Sequence, residues 1–453
     1  MMHNDYKWHP VDTASIMFSS LSTKKWGRTC GFAVSLRDHE IDEKILRNAV
    51  GDLQKRYPVY FSKLKRGFFW NYLEQTECMP EIRKDDGVMR PIVLHKDARP
   101  DFRIVYAGNR MSIEGAHYIT DGYGFQTFML TLTQRYMELA GLLPAMRDPA
   151  VRYWADEPSA EEAENAFTRY AVPGGEKAAQ ENRDVYHFAP VYEKDYLRQL
   201  HLTMSSSAVR EKANALQLTV NEYLTAVLML AVIRSEKEPV NKPVCVDVPV
   251  NLRSFFETKT LRNFVYQVST VLPVNGRQDW TLAEIADKIR GQVRSQISAE
   301  KMQLVLNRLT ALAANPVVRV IPNFIKTPVL RMIQKKNHQN ETTIITNLGY
   351  LHLSDAFAER IEALELINGD TRGYGLPATC SVMSVNDVLT FCISSANRDN
   401  SVWSEMIRIF EQDGITLAVR ENNEQPQKLQ SDTQEYKTTG KVSVGRLKAF
   451  FHF

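Results

Sequence analysis

The segment GAHYITDGYG, Gly115 to Gly124, places His117 four positions before Asp121, with Gly122 directly after. An imidazole titrates close to neutral pH and can act as a general base if its position and tautomer are held. Spacing alone leaves two readings open. Ten histidines would give on the order of half an HxxxD by chance. A carboxylate just before a helix is also an ordinary N-cap, and a histidine can simply close a strand. The chemical reading makes His117 the base, lets Gly122 bring the backbone close or adopt positive φ, and has Asp121 brace the loop. A brace needs a cation, and Arg253 stands at the strand end of VPVNLRSFFETKTLRNFVYQ, where it either forks onto a carboxylate or is a solvated surface arginine.

The surrounding elements must position these groups. TCGFAVSL (29–36) reads as a strand, and IDEKILRNAVGDLQKRYP as a helix with apolar residues at helical spacing. FFWNYLE (68–74), RPIVLHK (90–96), FRIVYA (102–107) and RMSIEGAH (110–117) read as strands of one sheet. From Gly122 to Leu139 the pattern is helical, which sets HYITDG in a strand-to-helix loop. In the second half, AVREKANALQL, TVNEYLTAVLMLAVIRSEK and TLAEIADKIRGQVRSQIS read as helices. VCVDVPVNL, YQVSTVLPV, TTIITNLGYL, CSVMSVN and VLTFCISSA read as strands before a last helix near 401–413. The alternation indicates an α/β or α+β protein.

A chain of 453 residues suits two domains. Residues 1–150 form the first and 188–422 the second; the polar, Pro- and Gly-broken segment 151–187 connects them. Residues 423–453 form a polar tail with an aromatic end. The formal charge of +3 is too small to argue for nucleic acid. The five scattered cysteines form no CxxC pair and the N-terminus carries no signal-like apolar stretch, so the expected location is cytoplasmic. No integral membrane segment is expected, because LTAVLMLAVI (224–233) is about half a span. GxSxG, P-loop, dinucleotide and HExxH motifs are absent, and no metal site is proposed.

Five stretches together resemble the CoA-dependent acyltransferase superfamily with the chloramphenicol-acetyltransferase-like fold. They are WHPVDTASIMF, LQKRYPVYF, AHYITDGYG, VPVNLRSFFETKTLRNF and TNLGYLHL, in that family's order over most of residues 6–415. The alcohol-acetyltransferase branch is the most similar, and the basic, apolar stretch PVVRVIPNFIKTPVLRMIQKK (316–336) also looks like it. By composition that stretch fits either a membrane surface or a helix packed on its own domain. The resemblance implies two subdomains with mixed sheets, flanking helices and a central tunnel. It implies that His117 is the catalytic base, that Asp121 pairs with Arg253, that Gly122 completes the motif, and that Asn347 and Gly349 lie near the tunnel. It further implies transfer of an acyl group from acyl-CoA, as co-substrate, to an alcohol or amine. Two alternatives stand beside it: a condensation-like enzyme using a carrier-protein thioester, and a binding protein that has kept the fold. Ala116 stands where condensation domains usually have a first histidine, and the DFGWG signature of plant BAHD enzymes is missing.

Overall fold

A computed structural model of the chain describes residues 8–23, 27–87, 89–94, 97–179, 182–188, 197–369 and 376–423. Two mixed sheets and one small antiparallel sheet, flanked by helices, make up the architecture. The terminal tail expected at 423–453 lies outside the described residues apart from Asn423.

The sheet that carries the HxxxD loop has the strand order Ile361–Asn368, Thr29–Leu36, Arg110–Ala116, Phe102–Ala107, Glu81–Lys84. All its pairs are antiparallel except the last. The helix Gly122–Leu139 packs on the two central strands, burying Phe125, Phe128, Met129 and Leu132. The helix Glu43–Arg56 lies beside it through Leu46, Ala49, Val50 and Leu53, at the i, i+3, i+4, i+7 spacing of one face. One strand crosses the division read from the sequence: Ile361–Asn368 belongs to the later segment but pairs with Thr29–Leu36. Its Glu365 is buried and accepts from Arg110 Nη2 at 2.9 Å, joining the two segments by charge as well as by ladder.

The larger sheet has seven strands, in the order Val265–Leu272, Val244–Asn251, Thr343–Leu351, Ala378–Val385, Val388–Ser395, Arg198–Ser205, Leu417–Asn423. The helix Val220–Ser235 starts at a capping box, Thr219 with Glu222, and its residues from Glu222 to Ile233 are all buried. That accounts for the long apolar run at 224–233, which is a core helix. Among the described residues no single helix is long and apolar enough to cross a membrane. A third, small sheet joins Trp8–Pro10, Asn71–Gln75 and Ser62–Arg66.

Three elements differ from expectation. Residues 90–94 form no strand: Ile92 N donates to Thr29 Oγ1 and Leu94 N to Thr23 O, so side-chain and loop partners replace a ladder. The helix expected over 281–298 is two helices, Leu282–Ile289 and Gln292–Gln296, broken where Gly291 adopts φ +74°. The strand expected from Phe68 starts only at Asn71, because Gly67 N bonds Trp70 O and makes 67–70 a hairpin turn. That strand pairs in the small sheet rather than in one sheet with Phe102–Ala107 and Arg110–Ala116.

Candidate active site

The strand Arg110–Ala116 ends one residue before His117, and Asp121 caps the helix that follows. Asp121 Oδ1 accepts from Gly124 N at 3.1 Å, the usual use of a carboxylate at a helix start. Its other oxygen turns to the second half of the chain. Oδ2 accepts from Arg253 Nη1 and from Phe264 N, each at 2.9 Å. Arg253 is held in turn, with Nε on Thr260 O at 2.9 Å and Nη2 on Arg262 O at 2.6 Å. Its guanidinium also lies over the Tyr123 ring, 4.5 Å from the centroid. All of its donors therefore serve one corner of the structure.

The rest of the loop is clamped from both sides. His117 N donates to Arg28 O at 3.0 Å, and His117 O accepts from Asn263 Nδ2 at 3.0 Å. Tyr118 O accepts from Ser15 Oγ at 2.8 Å, and Tyr118 Oη donates to Asp101 Oδ2 at 2.7 Å. Thr120 Oγ1 donates to Leu261 O. Asp12, fully buried at the start of the helix Thr13–Leu21, accepts from Ser15 and Asn263 and so ties the clamps together. Such a loop has little freedom to turn its histidine away.

The imidazole of His117 packs on Phe18, with ring centroids 4.3 Å apart, and lines a cavity of about 790 Å³ between the halves. Nδ1 is buried without a hydrogen-bond partner. Burial first, and the Arg28 cation second, lower its pKa to about 3; its own carbonyl, Asp121 and Asn263 act more weakly the other way. The ring is thus a neutral free base at physiological pH. Asp121 and Arg253 line the same cavity.

The two glycines of the motif divide differently from expectation. Gly122 has no positive φ, and a Cβ there would meet only Leu348 and Leu366 at 3.5 Å or more, so no close backbone approach depends on it. Gly124 is the position that tolerates no side chain: a Cβ would lie 1.8 Å from Thr120 Oγ1 and 2.7 Å from Leu261 O. Gly122 does border the cavity. Asn347 and Leu348 line it too, whereas Gly349 is not among its lining residues. Gly349 adopts φ +79° at a bulge in the strand Thr343–Leu351, and its N donates to Asn347 Oδ1 at 2.7 Å.

A second polar group in the cavity has no counterpart in the sequence reading. His338 Nδ1 bonds Glu341 Oε1, and Gln334 Nε2 lies 2.8 Å from His338 Nε2. Glu341 also faces Asp247, whose Oδ1 accepts from Ser269 Oγ at 2.7 Å. Burial pushes both carboxyls up, Glu341 to about 7; the charge of Glu341 raises Asp247 further, while a hydrogen bond with Asp247 pulls Glu341 the other way. One proton held between them is the physical consequence. Among the described residues no three His, Cys, Asp or Glu are placed to hold a metal ion. The i, i+3 spacing of His338 and Glu341 is legible, but Asp247 comes from a strand some ninety residues earlier.

No family model matches the sequence, and no curated protein matches it either. Solved structures match over nearly the whole chain at low identity. Polyketide synthase associated protein 5 from Mycobacterium tuberculosis is 14% identical with TM-score 0.57, over 88% of this chain and 96% of its own. TRI101 of F. sporotrichioides, complexed with coenzyme A and T-2, is 9% identical with TM-score 0.58, over 90% and 99%. The first condensation domain of the calcium-dependent antibiotic synthetase, in complex with a substrate analogue, is 12% identical with TM-score 0.56, over 92% and 100%. This chain therefore has the fold of the CoA-dependent acyltransferase and condensation-domain superfamily that its sequence resembles.

Proposed function

We propose that the protein is an acyltransferase that moves an acyl group from acyl-CoA to an alcohol or amine, with His117 as general base. The observation that carries this reading is a neutral imidazole facing the cavity from a loop braced across the halves by Asp121 and Arg253. With Nδ1 turned toward the buried side, Nε2 is the nitrogen left to act. It takes the acceptor's proton as the oxygen or nitrogen attacks the thioester carbonyl. The new C–O or C–N bond forms, the C–S bond breaks, and the imidazolium returns the proton to the departing thiolate. A thioester is already activated, so no acyl-enzyme is required. Cys30, the cysteine bordering the cavity, fits that economy: burial pushes its thiol up to about 11, which leaves almost no thiolate.

Acyl-CoA as donor is supported by the fold shared with a protein crystallised with coenzyme A. A carrier-protein thioester is the second reading, supported by the same fold in a condensation domain. Five free cysteines, four of them buried, suit a reducing cytoplasmic setting.

The test is to incubate the purified chain with acetyl-CoA and longer acyl-CoAs across a panel of alcohols and amines, following thiol release. Acceptor-dependent release should fall roughly 10²–10⁴-fold in His117→Ala. Release that never exceeds the mutant's background with either CoA or carrier-protein thioesters overturns the reading and leaves a binding protein.

A further inference from the structure

The stretch 301–340 contains Lys301, Arg308, Arg319, Lys326, Arg331, Lys335 and Lys336, and no aspartate or glutamate. Within it the short helix Pro316–Val320 and the helix Asn323–Asn337 follow one another. The second rests on Thr13–Leu21, with Leu330 and the stem of Lys326 buried and Arg331 Nε donating to Ser20 O at 2.9 Å. So it packs within the chain, but on a helix of the segment read as the first domain rather than on its own. Its outer face, however, is apolar and open. Phe324 is 72% exposed, Met332 68%, and Val317 and Val320 67% each, with Ile325 and Val329 beside them.

A second element joins this face. The hairpin turn between the strands Ser62–Arg66 and Asn71–Gln75 presents Phe68, 67% exposed, and Phe69. Asn323 ties the turn to the helix start, its N donating to Phe68 O at 2.7 Å and its Nδ2 to Asn71 Oδ1 at 2.7 Å. Lys326 Nζ lies 3.2 Å from the Trp70 ring centroid and fixes the hairpin from the other side. The wall of the central cavity reaches the same region through Trp70, Leu312 and Ile333.

Bulky apolar side chains exposed in a group on a soluble surface mark an interaction site. We propose that this face docks on an anionic lipid surface, with Phe68, Phe69, Phe324 and Met332 entering the headgroup–acyl boundary and Arg319 and Lys336 pairing with lipid phosphates. Charge complementarity carries the choice, because forty residues without an acid meet a negative leaflet at no repulsive cost. Shape supports it. The apolar groups protrude from two elements, a hairpin tip and a helix face, which suits a deformable apolar medium better than a rigid partner with matching pockets. Docked this way, the cavity wall at Trp70 and Leu312 lies beside the lipid. The docking itself does not depend on the acyl-transfer reading.

Co-sedimentation of the full chain with phosphatidylcholine vesicles, with and without phosphatidylglycerol, tests this. Binding should require phosphatidylglycerol at low salt and weaken as salt rises. The pairs Phe68→Ser/Phe69→Ser and Phe324→Ser/Met332→Ser should each lower partitioning roughly tenfold or more. Arg319→Glu/Lys336→Glu should abolish the preference for the anionic lipid. All are surface changes, and an unaltered thermal melt checks the fold of each. Wild-type protein that stays in the supernatant at low salt overturns the proposal. So does binding that these variants leave unchanged, or capture of an acidic acyl carrier protein by the same residues without vesicle binding.

Discussion

Asp121 sits four residues from His117, yet its carboxylate spends its hydrogen bonds elsewhere: Oδ2 takes Arg253 Nη1 at 2.9 Å and Oδ1 takes Gly124 N. The carboxylate of Asp121 therefore reaches His117 only through the backbone, and under the proposed function it positions the base rather than touching it. Both partners are buried, with side chains 5% and 8% exposed. Removing one leaves the other's charge uncompensated, at a cost of about 3 kcal/mol. Asp121→Ala and Arg253→Met should each destabilise by that order, and the double variant by clearly less than the sum. Denaturant unfolding of the four proteins gives the coupling energy. Near-additive losses would mean that the pair does not act as a unit.

Gly122 and Gly124 make a contrast within one motif. Gly124→Ala must displace Thr120 Oγ1 and the Leu261 carbonyl, and backbone does not yield cheaply. A loss of about 3 kcal/mol or more is expected. Gly122→Ala adds a methyl at ordinary contact distance from Leu348, so stability should change by less than about 1 kcal/mol. Thermal melts of the two variants decide this. Equal destabilisation would refute the division of roles.

The HxxxD loop was legible because local rules govern it: a strand's alternation, a helix's periodicity and an aspartate cap all act within a few residues. The company of Arg253 was legible through the resemblance, since its partner lies 132 positions away. Other features depend on chain segments meeting in space. Asn263 and Asp12 lie in stretches that carry the resemblance, but nothing local says that the amide of one reaches the carbonyl of His117. The crossing strand Ile361–Asn368 looks like any short apolar run until its partner is known. Residues 90–94 have strand-like composition, and Thr29 Oγ1 takes the amide a ladder would have used. Asp247 joins Glu341 only through the parallel pairing of Val244–Asn251 with Thr343–Leu351.

His117 should titrate far below an ordinary histidine. Burial and Arg28 disfavour the imidazolium and set its pKa at about 3, against 6.5 in the unfolded chain. Between those values the unfolded chain binds a proton that the folded one does not, so this group's contribution to stability is lost as pH falls. Ring-proton NMR should show His117 neutral down to pH 4. In Arg28→Met the cation is gone while burial remains, so the midpoint should rise and still lie below 6.5. A wild-type midpoint at 6.5 would show that the ring is solvated.

Glu341 has the opposite sign. Its pKa is raised from 4.5 to about 7, by burial before anything else. Between those values the folded protein holds a proton that the unfolded chain has lost, so stability falls as pH rises through the window. Glu341→Gln keeps an acceptor for His338 and turns its amide toward Asp247, and it removes this titration. The variant should therefore gain on the wild type as pH climbs from 5 to 8, by at most about 3 kcal/mol. Denaturant midpoints of the two proteins, taken at each pH unit, measure the gap directly. If the gap stays constant across the range, Glu341 titrates in the folded protein as it does in the unfolded chain and burial does not raise it. The same series run on Asp247→Asn separates the partners, because an amide there leaves Glu341 without a facing carboxyl. The Glu341 pKa should then stay raised or climb, because burial holds it up and the Asp247 hydrogen bond that lowers it is weakened or lost.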